Sequence, residues 1–372
     1  MARDVARSME AIWRIEAGRI VGGLARVVRD VGLAEDLAQE ALVAALEHWP
    51  EDGVPENPGA WLMAVAKTKA LDHLRRQAVH ARKPEELGAE ADARGDHVAP
   101  DFVDALDAAR PDDIGDDRLR LIFVACHPVL PKEAQTALTL KLVCGISTAE
   151  IARAYIVPEP TVAQRIVRAK KALSQAGVPF EIPHGADRIR RLAAVLEVVY
   201  LIFNEGYAAT SGPEWTRPTL CEEALRLARM IAQIAPEESE AQGLQALLEI
   251  QGSRLHARLD AQGRPVLLMD QDRGRWDRLL ITRGLEALER ARALGGALGP
   301  YALQAAIAAC HARAATPQAT DWRTIAALYG ELVRCLPSPV VELNRSVAIG
   351  MAYGPEAALP LVDALADEPA MQ

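Results

Sequence analysis

Thr161, Gln164, Arg165 and Arg168 follow one another at spacings of three, one and three residues, so a helix would bring them to one face. Lys170 and Lys171 come directly after them. Gln and Arg can bond base edges while Lys and Arg bond phosphates, which is the chemistry of a helix lying in the major groove of DNA. Between them Val162, Ile166, Ala169 and Leu173 repeat at four, three and four and supply an apolar face. A second group, Asp36, Gln39, Glu40 and Val43, shares one helical side and offers carboxylates; taken alone it is an acidic, solvated face. A third, Lys67, Lys69, Asp72, His73, Arg75 and Arg76, is mostly basic and lies on a helix whose apolar side is Trp61, Leu62, Val65, Ala66 and Leu74.

Local signals mark out the elements that must carry these groups. Ser147-Thr148-Ala149-Glu150 forms a capping box that opens a short helix, because Ser and Glu can each bond the other's amide. The run Tyr155 to Pro160 must break that helix: Pro158 and Pro160 lack an amide hydrogen and push their predecessors toward extended geometry. Pro160 then suits the first turn of a second helix, expected from about Thr161 to Leu173. The pair reads as a helix-turn-helix. Gly32 to Leu42 opens an amphipathic helix, a Pro/Gly-rich loop runs from Glu51 to Gly59, and Asn57 can cap the next helix with Pro58 at its first position.

The chain has 372 residues, too many for one ordinary domain. Half are hydrophobic but only 4% aromatic, and apolar positions recur at three and four, so the fold class expected is all-α. A formal net charge of −9 would argue against nucleic acid, but the charge is unevenly placed. Residues 1–83 carry 12 Lys+Arg against 12 Asp+Glu, residues 84–117 carry 2 against 12, and residues 118–172 carry 9 against 3. The acidic stretch lacks apolar periodicity and reads as a solvated linker. The basic one coincides with the helix-turn-helix.

No secretory signal opens the chain, and the apolar run from Leu192 to Phe203 is broken by Glu197 and too short to span a bilayer, so a cytoplasmic protein without a membrane partner is expected. Cys126, Cys144, Cys221, Cys310 and Cys335 form no C-x-x-C pair; neither a disulfide framework nor a metal site is expected, Cys126-His127 included, and no cofactor.

Taken in order, the segments resemble the extracytoplasmic-function sigma factors of bacterial RNA polymerase. Glu35 to Glu40 (E-D-x-x-Q-E) looks like region 2.1–2.2, and Ala60 to Ala66 with Ala70 to Arg76 looks like region 2.3–2.4. Leu130-Pro131-Lys132-Glu133-Ala134-Gln135 through Arg168-Ala169-Lys170 looks like region 4. The match covers roughly the first 175 residues. It implies that Asp36, Gln39 and Glu40 dock on the largest polymerase subunit. It also implies that the loop from Asp52 to Asn57, with Lys67, Lys69, Asp72, His73, Arg75 and Arg76, opens and reads the −10 element of promoter DNA. Thr161, Gln164, Arg165 and Arg168, with Lys170 and Lys171, would read the −35 element, and the acidic linker would run through the RNA exit path. Ile156 departs from the family's pattern, which has a small residue there, and Ala163 from its basic residue.

The domains expected are region 2 at 1–83, the linker at 84–117, region 4 at 118–176 and a helical domain at 185–372. In that last part, small and large apolar residues alternate in helical hairpins that resemble tetratricopeptide repeats; Asp321 to Cys335, Pro339 to Met351 and Pro355 to Ala366 are three such helices. The resemblance extends to a subgroup with a long C-terminal extension, which commonly continues beyond the point where this chain stops. A protein or peptide ligand and a regulatory, non-catalytic role are expected of it. Asn204-Glu205-Gly206-Tyr207, Asp270 to Arg273 with Trp276, and Cys310-His311 read as a buried hydrogen-bonded scaffold, since nothing in the sequence makes them converge. Two other readings stay open on the residues: a helix-turn-helix regulator that never joins polymerase, and an enzyme tethered to DNA. The acidic helix and the basic helix after Pro58 favour the sigma factor over the regulator, which has no use for either.

Overall fold

A computed structural model describes residues 2–81, 111–155, 157–183, 185–208 and 216–365. Helices dominate them, with one isolated antiparallel bridge, Leu259 to Pro265, and no strand among the described residues. The chain divides into two compact units, Met1–Val198 and Val199–Gln372. No described helix is long and apolar enough to cross a membrane.

In the first unit α1 (Ala2–Val28), α2 (Val31–Asp52) and α3 (Pro58–Ala81) pack on one another. Trp13, Ala17, Ile20, Val21 and Leu24 form the buried stripe of α1, facing Ala34, Leu37, Ala38, Ala41, Ala45 and Trp49 of α2 and Leu62, Ala66 and Ala70 of α3. Trp61 is half-buried and meets Trp49 edge-on, ring centroids 5.4 Å apart. Asp30 caps α2 through the Leu33 amide at 2.9 Å, so the helix starts one residue before the expected Gly32. It also runs through Pro50, which shortens the loop at its front. Asn57 accepts from the Ala60 amide at 3.0 Å, with Pro58 opening α3 as expected.

Four more helices follow: α4 (Pro111–Ala125), α5 (Lys132–Leu142), α6 (Thr148–Tyr155) and α7 (Glu159–Gln175). The expected linker therefore ends in a helix: residues 111–117 belong to α4, and Asp117 is buried, 2.6 Å from Arg120 and 3.6 Å from Arg26. The remainder, 84–110, lies outside the described residues. Phe123, Leu138, Leu140, Leu142 and Ile151 fill this core. Against it lies the other side of α1. A Cβ on Gly18 would come 2.8 Å from the Val143 carbonyl, so only glycine permits this approach.

The two units meet in sequence within α8 (Gly185–Tyr207), later than the expected start at 185. In the second unit α9 (Pro218–Ile234), α10 (Ser239–Gly252), α11 (Arg278–Ala293), α12 (Pro300–Arg313), α13 (Trp322–Cys335), α14 (Pro339–Tyr353) and α15 (Pro355–Asp363) pack largely each on the next, as stacked hairpins do. Glu240 of α10 reaches across to cap α12, accepting from the Tyr301 amide at 2.9 Å and the Ala302 amide at 3.1 Å. Burial nevertheless outweighs those two bonds and holds its carboxyl above the usual value.

Candidate functional site

Helix α7 divides as its spacing predicts. Val162, Ile166, Ala169 and Leu173 are buried, while Thr161, Gln164, Arg168 and Lys171 are exposed and Arg165 is half-buried. The capping box ahead of α6 closes in both directions, the Ser147 amide donating to Glu150 at 3.0 Å and the Glu150 amide to Ser147 at 3.2 Å. Burial works against the Glu150 carboxylate, but the Ser147 bonds and the neighbouring Arg14 and Arg153 outweigh it and lower its pKa. Arg14, on α1, is ion-paired with Glu150. Helix α7 begins at Glu159, before the expected Thr161, with Pro160 in its first turn. Ile156, in the turn, lies outside the described residues.

On α2, Asp36 and Glu40 are exposed and Gln39 is half-buried, with Val43 exposed beside them. Asp52 and Asn57 are exposed at the ends of the loop after α2. Along α3, Asp72, Arg75 and Arg76 are exposed, and Lys67, Lys69 and His73 are half-buried. Lys69 pairs with Glu40 at 3.2 Å, and Arg76 donates to the Asp72 carbonyl at 3.2 Å.

The spacing gave no sign of how these faces meet. Lys170 does not stand free at the end of α7; it is ion-paired with Glu35 and lies 3.0 Å from Asp36. Lys141 of α5 approaches the same Glu35 at 3.7 Å. The Glu35 side chain is only 7% exposed and both lysine side chains 17%. Burial alone would lower the Lys170 pKa, but Glu35 and Asp36 outweigh it and hold it above the usual lysine value. Ser174 adds a bond to the α2 cap, Asp30, at 3.1 Å. Helices α2 and α7 are thus clasped together. Glu35 was visible only as part of the acidic run, and Lys141 was not singled out at all.

In the second unit the three polar runs do converge. Arg273 donates to the carbonyls of His311 at 2.5 Å and Ala314 at 2.7 Å, and lies 4.9 Å from the Trp276 ring centroid. Glu205 is ion-paired with Arg217, and Asp272 and Asp277 cap the turn at Gly274 and the start of α11.

Comparison with known proteins follows the same division. Residues 13–79 match the family described as Sigma-70 region 2, and residues 120–173 the one described as Sigma-70, region 4. Residues 191–292 match a family of unknown function, DUF6596. An uncharacterized protein of Rhizobium meliloti (strain 1021) is 48% identical over 348 residues, 93% of this chain and 80% of that protein. The RNA polymerase sigma-H factor of Pseudomonas aeruginosa is 30% identical over 166 residues, 44% of this chain and 82% of that protein. The ECF RNA polymerase sigma factor SigC of Mycobacterium tuberculosis is 25% identical over 178 residues, 48% of this chain and 83% of that protein. No solved structure matches.

Proposed function

Because the chain belongs to the extracytoplasmic-function sigma factors of the sigma-70 family, we propose that it binds core RNA polymerase in the cytoplasm and directs it to promoters by reading a −10 and a −35 element. Transcription initiation is the role that membership carries; the division of labour among residues is our own reading. The observation that carries it is the exposed row Thr161, Gln164 and Arg168 on a helix whose opposite face is fully buried. Gln and Arg there meet base edges, and Lys171 meets phosphate. Asp36, Gln39 and Glu40 supply the acidic docking face. Asp52, Asn57, Lys67, Lys69, Asp72, His73, Arg75 and Arg76 form the surface that holds the separated −10 strand.

Elements named for positions about 25 base pairs apart are separated by roughly 85 Å of duplex at 3.4 Å per step. The packed pair α2 and α3, which carries the −10 surface, and α7 cannot touch each other and serve both ends of that span. The clasp of Lys170 and Lys141 on Glu35 and Asp36 therefore belongs to a resting form, and polymerase competes for Asp36 as the chain opens. Once released, Lys170 joins Lys171 on the phosphates. The C-terminal helical domain modulates this activity, as a receptor for a ligand and without catalysis of its own.

Purified chain with core polymerase is expected to give promoter-specific run-off transcription. Failure to co-purify with core polymerase at moderate salt would favour a free helix-turn-helix regulator instead. Removal of residues 199–372, the second unit, tests the modulation: a rise or fall in run-off supports it, and an unchanged yield contradicts it.

A further inference from the structure

Arginines and aromatic rings of the C-terminal unit gather around Tyr207 and Trp276. Arg258 lies 3.8 Å from the Tyr207 ring centroid, and Arg254 lies 5.8 Å from that ring and 5.9 Å from the Trp276 ring, over which Arg273 also sits. Phe203 stacks on Tyr207 at 5.3 Å with an 18° interplanar angle.

The three arginines are not equivalent. Arg273 spends its donors on the His311 and Ala314 carbonyls and Thr320. No carboxylate pairs with Arg254 or Arg258 among the described residues, and the Nε of each is buried without a hydrogen-bond partner. The nearby acids are engaged elsewhere: Glu205 with Arg217, Asp260 with Arg264, and Asp272 and Asp277 with backbone amides. Trp276 Nε1 is likewise buried and unpartnered. Burial, with Arg254 and Arg273 close by, pushes the His311 imidazole down to about 4, as expected where positive charge is already in excess.

Stacking on a ring uses the flat face of a guanidinium and leaves its in-plane N–H fork free. Two such guanidinium groups around one ring, without a carboxylate, repel each other and favour an anion shared by both. A single carboxylate would neutralise only one. A phosphoryl group carries about −1.5 to −2 and three acceptor oxygens, which matches both. The geometry points to a phosphoryl-binding site formed by Arg254 and Arg258 on the Tyr207 ring, in the domain that modulates the chain. The ligand is inorganic phosphate or a small phosphomonoester. This site stands apart from promoter recognition, and either can fail without the other.

Titration calorimetry of the full chain, at fixed ionic strength, with inorganic phosphate, phenyl phosphate and benzoate tests it. Saturable binding of a phosphate species is expected, weakened about tenfold or more by Arg254→Gln or Arg258→Gln and unaffected by Arg264→Gln. Arg258→Lys keeps the charge but loses the fork, so it provides a milder variant should the Gln forms misfold; partial loss of affinity is expected from it. Tighter phosphate than phenyl phosphate identifies the free ion as ligand, and the reverse a phosphomonoester. Equal affinity in wild-type and folded Arg258→Lys or Arg258→Gln chains, no saturable binding, or benzoate bound as tightly as either phosphate would overturn the assignment.

Discussion

Replacing Glu35 by Gln removes the charge at the centre of the clasp while keeping its shape. Its ion-pair partners are Lys170 and Lys141, on α7 and α5, and all three side chains are largely shielded from water. Lys170 would be left with Asp36, whose side chain is 68% exposed and therefore well screened. Stripping one partner from a buried ion pair costs about 3–5 kcal/mol, and a hydrogen bond to a charged group about 1.5–3. The 17% exposure of the lysines places this loss toward the lower figures, at about 2–3 kcal/mol. At 1.4 kcal/mol per factor of ten, the balance between clasped and open forms shifts about 30- to 150-fold toward open. Dyes at positions 43 and 167, whose native valines are 52% and 63% exposed on α2 and α7, would report it by energy transfer. The background would be Cys310→Ser/Cys335→Ser; Cys126, Cys144 and Cys221 are buried away from the dye, and burial pushes the Cys126 and Cys221 thiols up to about 11 and about 12. Glu35→Gln should lower the transfer efficiency and tighten binding to core polymerase, whereas Glu47→Gln, exposed on the same helix, should do neither. Unchanged transfer in a folded Glu35→Gln chain would refute the reasoning.

Three other outcomes are expected. Arg168→Ala should weaken promoter binding by about 1–3 kcal/mol if its lost contact is bidentate to a guanine, and relax sequence preference at one position of the −35 element; binding assays on a panel of single-base variants check this. Ser147→Ala should cost about 0.5–2 kcal/mol in urea denaturation by opening the capping box before α6. The buried His311 stays neutral while the unfolded chain takes up a proton below the ordinary histidine value of about 6.5. The second unit should therefore lose stability as pH falls from about 6.5 to about 4, by roughly 3 kcal/mol in full, and His311→Gln should flatten that part of the denaturation profile.

Much of this molecule is written in short-range patterns. The buried quartet of α7, the Ser147 box, the Asn57 cap and the last three hairpin helices all follow from residues within a few turns of one another. What periodicity could not show is which of two adjacent carboxylates turns inward. Glu35 is buried and Asp36 exposed, because the lysines that decide it arrive from more than 100 residues away. The same limit hid the convergence of Tyr207, Arg254, Trp276 and Arg273, which are brought together by α8, the end of α10 and the irregular stretch before α11. Charge alone misled at 111–117: an acidic run reads as solvated chain, yet Arg26 and Arg120 neutralise Asp117 and α4 forms there.

Hydroxyl-radical footprinting of a cognate promoter, with core polymerase and the full chain, addresses the central claim most directly. Two protected patches about 25 base pairs apart are expected. Arg165→Ala/Arg168→Ala should erase the upstream patch and spare the downstream one, whereas a single patch, or joint loss of both, would contradict two modules gripping opposite ends of one promoter.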